Sequence, residues 1–202
     1  MDLPDRVSPA PLSLLGPPRV LTRRGPVDLP DALPGYLLAV LGARGDWVLR
    51  EELSALLWPE ASAAEAQHNL RVNLNRLRPL LLGWGLAEHL LAERRRLRLN
   101  LGTDVEAFQR AFVQQDWTQS AALGGRFAEG LSFRAFAACG EWARQLGDKL
   151  RRDWRTSVLN AARAAAPAAA LSLTDRLDAD ERVDEAVQRL RLAALEIGRA
   201  HV

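Results

Sequence analysis

A chain of 202 residues with 48% hydrophobic and 26% charged side chains has neither the charge excess of a disordered polypeptide nor the apolar excess of a membrane protein, and it is long enough for one large or two small cored domains. The formal net charge of +2 does not by itself point to a polyanionic partner, but it is unevenly spread: seven arginines face three acids between Ser62 and Asn100, whereas cations and acids balance from residue 101 onward. The single cysteine, Cys139, excludes an internal disulfide and sits among small and apolar neighbours, as a buried inert thiol does.

Residues 1–11 read as a loose, proline-bearing tail with acids where a signal peptide has cations, and no stretch approaches the ~20 apolar residues of a membrane span. A cytoplasmic protein with no membrane partner is expected. From Leu12, two short apolar runs, a Gly-Pro-Pro interruption, an Arg-Arg-Gly turn and a third run ending at Pro30 predict a small antiparallel sheet. Asp31 is placed to cap a first helix starting near Pro34, with Leu37, Leu38, Val40 and Leu41 inward and Gly42 to Gly45 as its stop. The stretch "WVLREELSALLWP" predicts a second helix with Leu53, Leu56 and Leu57 in the core and Pro59 at its end.

The third helix, "AEAQHNLRVNLNRLRPLLLGWG", carries Leu70, Leu74, Leu77 and Leu81 on one stripe, the spacing of a core-facing seam. Its opposite arc presents Glu65, His68, Val72, Asn75 and Arg76, flanked by Asn69 and Arg71, with Arg78 one turn on. Guanidiniums pair bidentately with guanine, amides with adenine, and a Val touches a thymine methyl, so this arc suits major-groove reading; a merely solvated face is the competing interpretation. Pro79 predicts a kink or an end near Arg78. The alternation in "LLAERRRLRLN" then predicts a hairpin with Arg94, Arg95 and Arg96 at its tip, placed for phosphates or the minor groove. Sheet, three helices and hairpin together make a winged helix-turn-helix over residues 12–102, whose third helix enters the major groove of double-stranded DNA.

From Thr103 the pattern is helical throughout. Thr103 or Asp104 supplies a cap and Phe108 and Phe112 a packed pair, and further helices follow at "DWTQSAALGGRF", "GEWARQLGDKLRRDWRTSVLNAARAAA", "AAALSLTDRL" and "DERVDEAVQRLRLAAL". Paired helices with short polar breaks suggest a tetratricopeptide-like domain over residues 103–195, with Trp117, Trp142 and Trp154 packing between helices. The expected fold class is therefore mainly α, a winged helix followed by helical repeats. Phosphate-binding and nucleophile-elbow motifs are absent, the three histidines (68, 89 and 201) are scattered, and no metal-ligand spacing occurs. No enzymatic activity, cofactor or metal is expected, and His89 reads as an ordinary residue at the base of the wing.

These stretches resemble the SARP-type bacterial transcriptional activators, which join an OmpR/PhoB-type winged helix to a bacterial transcriptional activator domain. "LSLLGPPRV" is similar to the family's opening strand, "REELSALLWPEASAAEAQHNLRVNLNRLRPLL" to its second and third helices, and "TDVEAFQRAF" to the start of its activator domain. "GRFAEGL", "EWARQLGDKLRRDW" and "DEAVQRLRLAAL" resemble its later helices. The resemblance runs from about Leu12 to Leu195 and implies a sequence-specific activator. It also implies that the loop Pro59, Glu60, Ala61 and Ser62 meets RNA polymerase, and that the helical domain makes protein contacts with a second copy or an effector. The chain departs from the family in having Leu49 where a capping Ser or Asp is usual, Pro79 within the recognition helix, and a wing without Gly or Tyr. Residues 196–202, "EIGRAHV", read as a non-native tail on an incomplete activator domain, because their back-translation resembles a sequencing adapter. A different reading is a protein-interaction scaffold, or a piece of a larger signalling ATPase-regulator, whose winged helix does not read DNA.

Overall fold

The computed structural model describes residues 10–200, without the side chains of Asp180 and residues 198–200; most of the expected N-terminal tail, and His201 and Val202, lie outside it. The chain divides into two compact units that do not follow it linearly. One holds the described residues up to Glu106 together with Gly125–Gly147, and the other holds Ala107–Gly124 with the described residues from Asp148 on.

In the first unit, β1 (Leu12–Ser13), β2 (Arg19–Thr22) and β3 (Gly25–Asp28) form an antiparallel sheet in sequence order, with Leu12 opposite Val20 and Val20 opposite Val27. The Arg23-Arg24 turn closes on Gly25, whose φ of +114° suits glycine. α1 (Leu33–Arg44) follows with Leu37, Leu38, Val40 and Leu41 fully buried, and it ends on a left-handed Gly45 whose N–H reaches the Leu41 carbonyl at 3.2 Å. Gly42 does not stop this helix. It lies inside it, where an added Cβ would come within 2.7 Å of the Leu12 side chain, so its smallness lets α1 close on β1.

Asp31 does not cap α1 either: the helix starts after Ala32 without a side-chain cap. Its carboxylate accepts instead from the Ser132 N–H at 2.7 Å, the Ser132 hydroxyl at 3.1 Å and the Tyr36 hydroxyl at 2.7 Å. The backbone bond from Ser132 chiefly, then those from Tyr36 and the Ser132 hydroxyl, hold this carboxyl below its ordinary pKa. Nearby, Gly125–Gly147 is anchored along β1: the Gly16 N–H donates to Arg126 O and the Ala128 N–H to Leu14 O, both at 2.8 Å. Phe133 and Phe136 pack on Tyr36 with ring centroids 4.7 and 5.8 Å away.

The segment expected to open the second helix splits. Val48 and Leu49 form a strand, β4 (Val48–Leu49), and α2 (Arg50–Leu57) begins after them. Leu53 and Leu57 are buried as expected, but Leu56 is half-buried and Ser54 takes the inner position between them, its hydroxyl donating to the Glu51 carbonyl at 3.0 Å. α3 (Ala63–Trp84) is one 22-residue helix. Ser62 caps it reciprocally, its hydroxyl accepting from the Glu65 N–H at 3.3 Å while the Glu65 carboxylate accepts from the Ser62 N–H at 3.0 Å. Ala66, Leu70, Leu74, Leu77 and Leu81 are its buried seam. Pro79 does not end the helix: its ring lies on the exposed side, and the buried Leu77 and Leu81 hold the backbone on either side of the missing hydrogen bond.

The wing is β5 (Leu90–Ala92) and β6 (Arg96–Leu99), with Leu90 opposite Leu99 and Ala92 opposite Leu97, and β4 pairs on the other side of β6 to give a three-stranded sheet in the order β4-β6-β5. His89 sits at the base of this sheet, its Nδ1 2.9 Å from the Asn100 carbonyl. Leu97 and Leu99 point into the core.

At the start of α4 (Asp104–Val113) the cap is Thr103, whose hydroxyl accepts from the Glu106 N–H at 3.0 Å. Asp104 instead faces the first sheet and accepts from the Leu14 and Leu15 N–H groups at 2.7 and 3.0 Å, in a burial that outweighs these bonds and raises its pKa.

In the second unit, Phe108 stacks on Phe112 at 6.1 Å, and Phe112 meets the edge of Trp117 at the start of α5 (Trp117–Ala122). Trp154 lies on the long α6 (Ala137–Ala164), buried, with its indole N–H on the Ala121 carbonyl at 3.0 Å. A Cβ on Gly124 would lie 2.1 Å from that nitrogen, so only glycine fits there. α7 (Pro167–Asp175) packs on α9 (Glu185–Ala200) around Ala162, Ala170 and Ala194. The single helix expected from Asp180 to Leu195 is two, α8 (Ala179–Arg182) and α9, because Asp184 turns its carboxylate to the Ala186 N–H at 2.9 Å and opens a new helix. The fold is mainly α, a winged helix with a helical domain.

Candidate nucleic-acid interface

The capping box fixes where α3 starts, and the leucine seam fixes its rotation about its own axis. Together they leave His68, Arg71, Asn75, Arg76 and Arg78 exposed, while Asn69 and Val72 are half-buried on the flank of the arc. Arg71 Nη2 lies 3.0 Å from His68 Nδ1. A guanidinium has donors only, so His68 accepts through Nδ1 and turns an Nε2–H outward. Glu65, on the same arc, is spent on the cap. Asn73, outside the expected set, donates its amide to the Asn69 carbonyl at 2.8 Å and so occupies that acceptor.

The wing turn is closed by the Glu93 N–H on the Arg96 carbonyl at 2.9 Å. Arg94 and Arg95 are exposed at the tip. Arg96 is engaged differently: its guanidinium lies 4.4 Å above the Trp47 ring and makes two hydrogen bonds to the Glu93 carboxylate, at 2.7 and 3.3 Å. The pair shifts both partners in the expected senses, Glu93 downward and Arg96 upward.

Between the wing tip, the first turns of α3 and the start of α2 lies a cleft of about 760 Å³ whose walls include Arg50, Gln67, His68, Arg71, Arg94 and Arg95. Two groups that are far apart in sequence, the helix arc and the wing tip, thus share one hollow, lined by four arginines and one acid, Glu51, and Arg96 is not among its walls. Arg50 and Gln67 belong to it although the sequence pattern did not single them out. Arg50 is brought there by β4, the two-residue strand hidden in what reads as a helix. Burial, and secondarily the charge of Arg78, lower the Arg50 pKa. A second hollow of about 550 Å³ runs along Ala61, Ala64, Glu65, His68 and Asn69, beside the α2–α3 loop. In that loop Pro59 and Glu60 are exposed, the Ala61 N–H donates to the Trp58 carbonyl at 3.2 Å, and Ser62 is the helix cap.

Cys139 is fully buried and its thiol is pushed up to about 12 by that burial. Among the described residues no group of His, Cys, Asp and Glu could hold a metal ion, and no helix is long and apolar enough to cross a membrane.

The architecture is that of a winged helix with a helical domain. No family model and no curated protein matches the sequence. Among solved structures the chain is similar to Mycobacterium tuberculosis EmbR in complex with low affinity phosphopeptide, with a TM-score of 0.60 and 20% identity over 93% of this chain and 55% of that one. The chain thus spans about half of that protein's length, and at this identity the likeness is one of fold.

Proposed function

We propose that the protein is a sequence-specific DNA-binding regulator of transcription, with α3 in the major groove and the wing on the adjacent backbone or minor groove. The observation that carries this reading is the shared cleft: Arg71 from the groove-facing arc and Arg94 and Arg95 from the wing line one hollow. Base-reading side chains beside backbone-binding cations are what a duplex requires. The fold likeness to EmbR supports it at the level of architecture. In this reading His68, Asn69, Arg71, Val72, Asn75, Arg76 and Arg78 form the groove-facing set, and the winged helix of residues 12–102 works with a helical domain of residues 103–195. The exposed loop Pro59 to Ser62 meets RNA polymerase, and the helical domain carries contacts to a second copy or an effector protein.

Selection of bound sequences from a pool of random duplexes tests the proposal. The chain is expected to enrich one motif and to bind it about 10³-fold or more tightly than random duplex at physiological salt. Enrichment of no motif would set the reading aside in favour of a protein-interaction scaffold. With the motif in hand, Glu60→Ala is expected to keep DNA affinity and lose activation in a reconstituted transcription assay; loss of affinity instead would remove the polymerase role from that loop.

A further inference from the structure

Arg50 stands apart from the other cations of the cleft. It is half-buried, it makes no ion pair among the described residues, and its side chain reaches the wing. Its Nε donates to the Glu93 carbonyl at 3.0 Å, and its own backbone N–H donates to the Arg95 carbonyl at 2.9 Å. These two carbonyls bracket the tip residue Arg94. The same residue therefore grips both sides of the wing turn from the first position of α2, in continuation of the Leu49–Arg96 pairing between β4 and β6. On the outer face, Arg96 braces the turn a second time through Glu93 and the Trp47 ring. Arg50 shares the cleft with Arg71, Arg94 and Arg95 and with one acid, Glu51, yet the partner its Nε takes is a carbonyl of the wing turn.

We infer that Arg50 is a positioning residue for DNA binding: it locks the wing turn so that Arg94 and Arg95 face the phosphates alongside Arg71, and does not itself touch DNA. This rests on the DNA-binding reading above. A free hairpin tip samples many conformations, and ordering it at the moment of binding lowers affinity; fixing it beforehand removes that penalty. The geometry suits this role, because the Arg50 Nε–H is already spent on the Glu93 carbonyl and its backbone N–H on the Arg95 carbonyl.

The test measures affinity of the full chain for a random-sequence duplex across a salt series. Arg50→Met keeps the aliphatic stem and removes the guanidinium. Replacing both Arg94 and Arg95 by Ala is expected to reduce the magnitude of the log–log salt slope by about 2. Arg50→Met alone is expected to lower affinity about 5- to 10-fold at every salt concentration with the slope unchanged, because ordering costs change affinity and not the number of phosphates met, and to add nothing in the chain already lacking Arg94 and Arg95. In the free protein, amide exchange at Glu93, whose N–H closes the turn, is expected to quicken in Arg50→Met. A fall in slope of about 1 with Arg50→Met, or an equal loss of affinity in both backgrounds, would overturn the inference by making Arg50 itself a phosphate contact. Unchanged affinity, or unchanged Glu93 exchange, would overturn it by freeing the wing from Arg50. A salt slope insensitive to Arg94 and Arg95 themselves would instead remove the wing from DNA, and with it the reading on which Arg50's role depends.

Discussion

Arg71 and Asn75 are one turn apart on the exposed side of α3, and they differ in how free they are. Arg71 is oriented by His68, whereas Asn75 is exposed. If both read base edges, each change to Ala costs about 1–3 kcal/mol of specific binding and relaxes preference at one base pair, while affinity for random duplex changes little. A competition assay with single-base variants of the selected site checks this; equal losses on every sequence would make them backbone contacts. The leucine seam is untouched, so thermal unfolding should be unchanged. The arc was legible at this scale because helical periodicity needs only neighbours in sequence. Asp31 was not, since its partner Ser132 is 101 residues away, and a capping residue just before a helix has the same local signature whether or not its carboxylate is taken elsewhere. The different engagement of Arg96 was hidden for a related reason: three consecutive arginines look alike, and only the ring of Trp47 and the carboxylate of Glu93 separate the third from the first two.

Among the elements, α3 shows how tertiary packing overrides a local breaker. Pro79 has no N–H for the Asn75 carbonyl and lies in the interior of the helix, a position that disfavours helix by about 3 kcal/mol relative to Ala. The helix continues because Leu77 and Leu81 are anchored on both sides. Pro79→Ala is therefore expected to stabilise the protein, by about 2 kcal/mol once the greater freedom of the unfolded chain is subtracted. A raised midpoint of thermal unfolding would show it; an unchanged or lower midpoint would mean that the local backbone has already compensated. The existence and type of the long helices were readable from periodicity, and the hairpin from alternation. β4 was not, because two residues carry no period, and its strand character comes from pairing with β6. The break between α8 and α9 was missed because Val183 continues an apolar pattern that Asp184 interrupts only by its hydrogen bond.

For the whole molecule, the sequence suggests two consecutive domains, whereas the N-terminal unit includes Gly125–Gly147. Linear texture shows where helices begin and cannot show which unit a later segment joins. Ending the chain after Gly102 removes Asp104 from the Leu14 and Leu15 N–H groups, Ser132 from Asp31, and two phenylalanines from Tyr36. Unpaired buried backbone donors cost about 1–3 kcal/mol each. A chain ending at Gly102 is thus expected to unfold at a lower temperature than one ending at Gly147, with faster amide exchange along β1; equal midpoints would show that the later segment merely rests on the unit.

The same discontinuity sets a timetable. A protein leaves the ribosome from its N-terminus, and an unbroken domain closes as soon as its last residue emerges. Here the strand edge at β1 and the carboxylate of Asp31 must wait while the residues from Gly102 to Gly147 are made, a few seconds at about 5–20 residues per second. During that interval α3 is already synthesised but the unit that holds it is unfinished, so a nascent chain stalled in this window is expected to be cleaved by proteases faster than one that extends past Gly147.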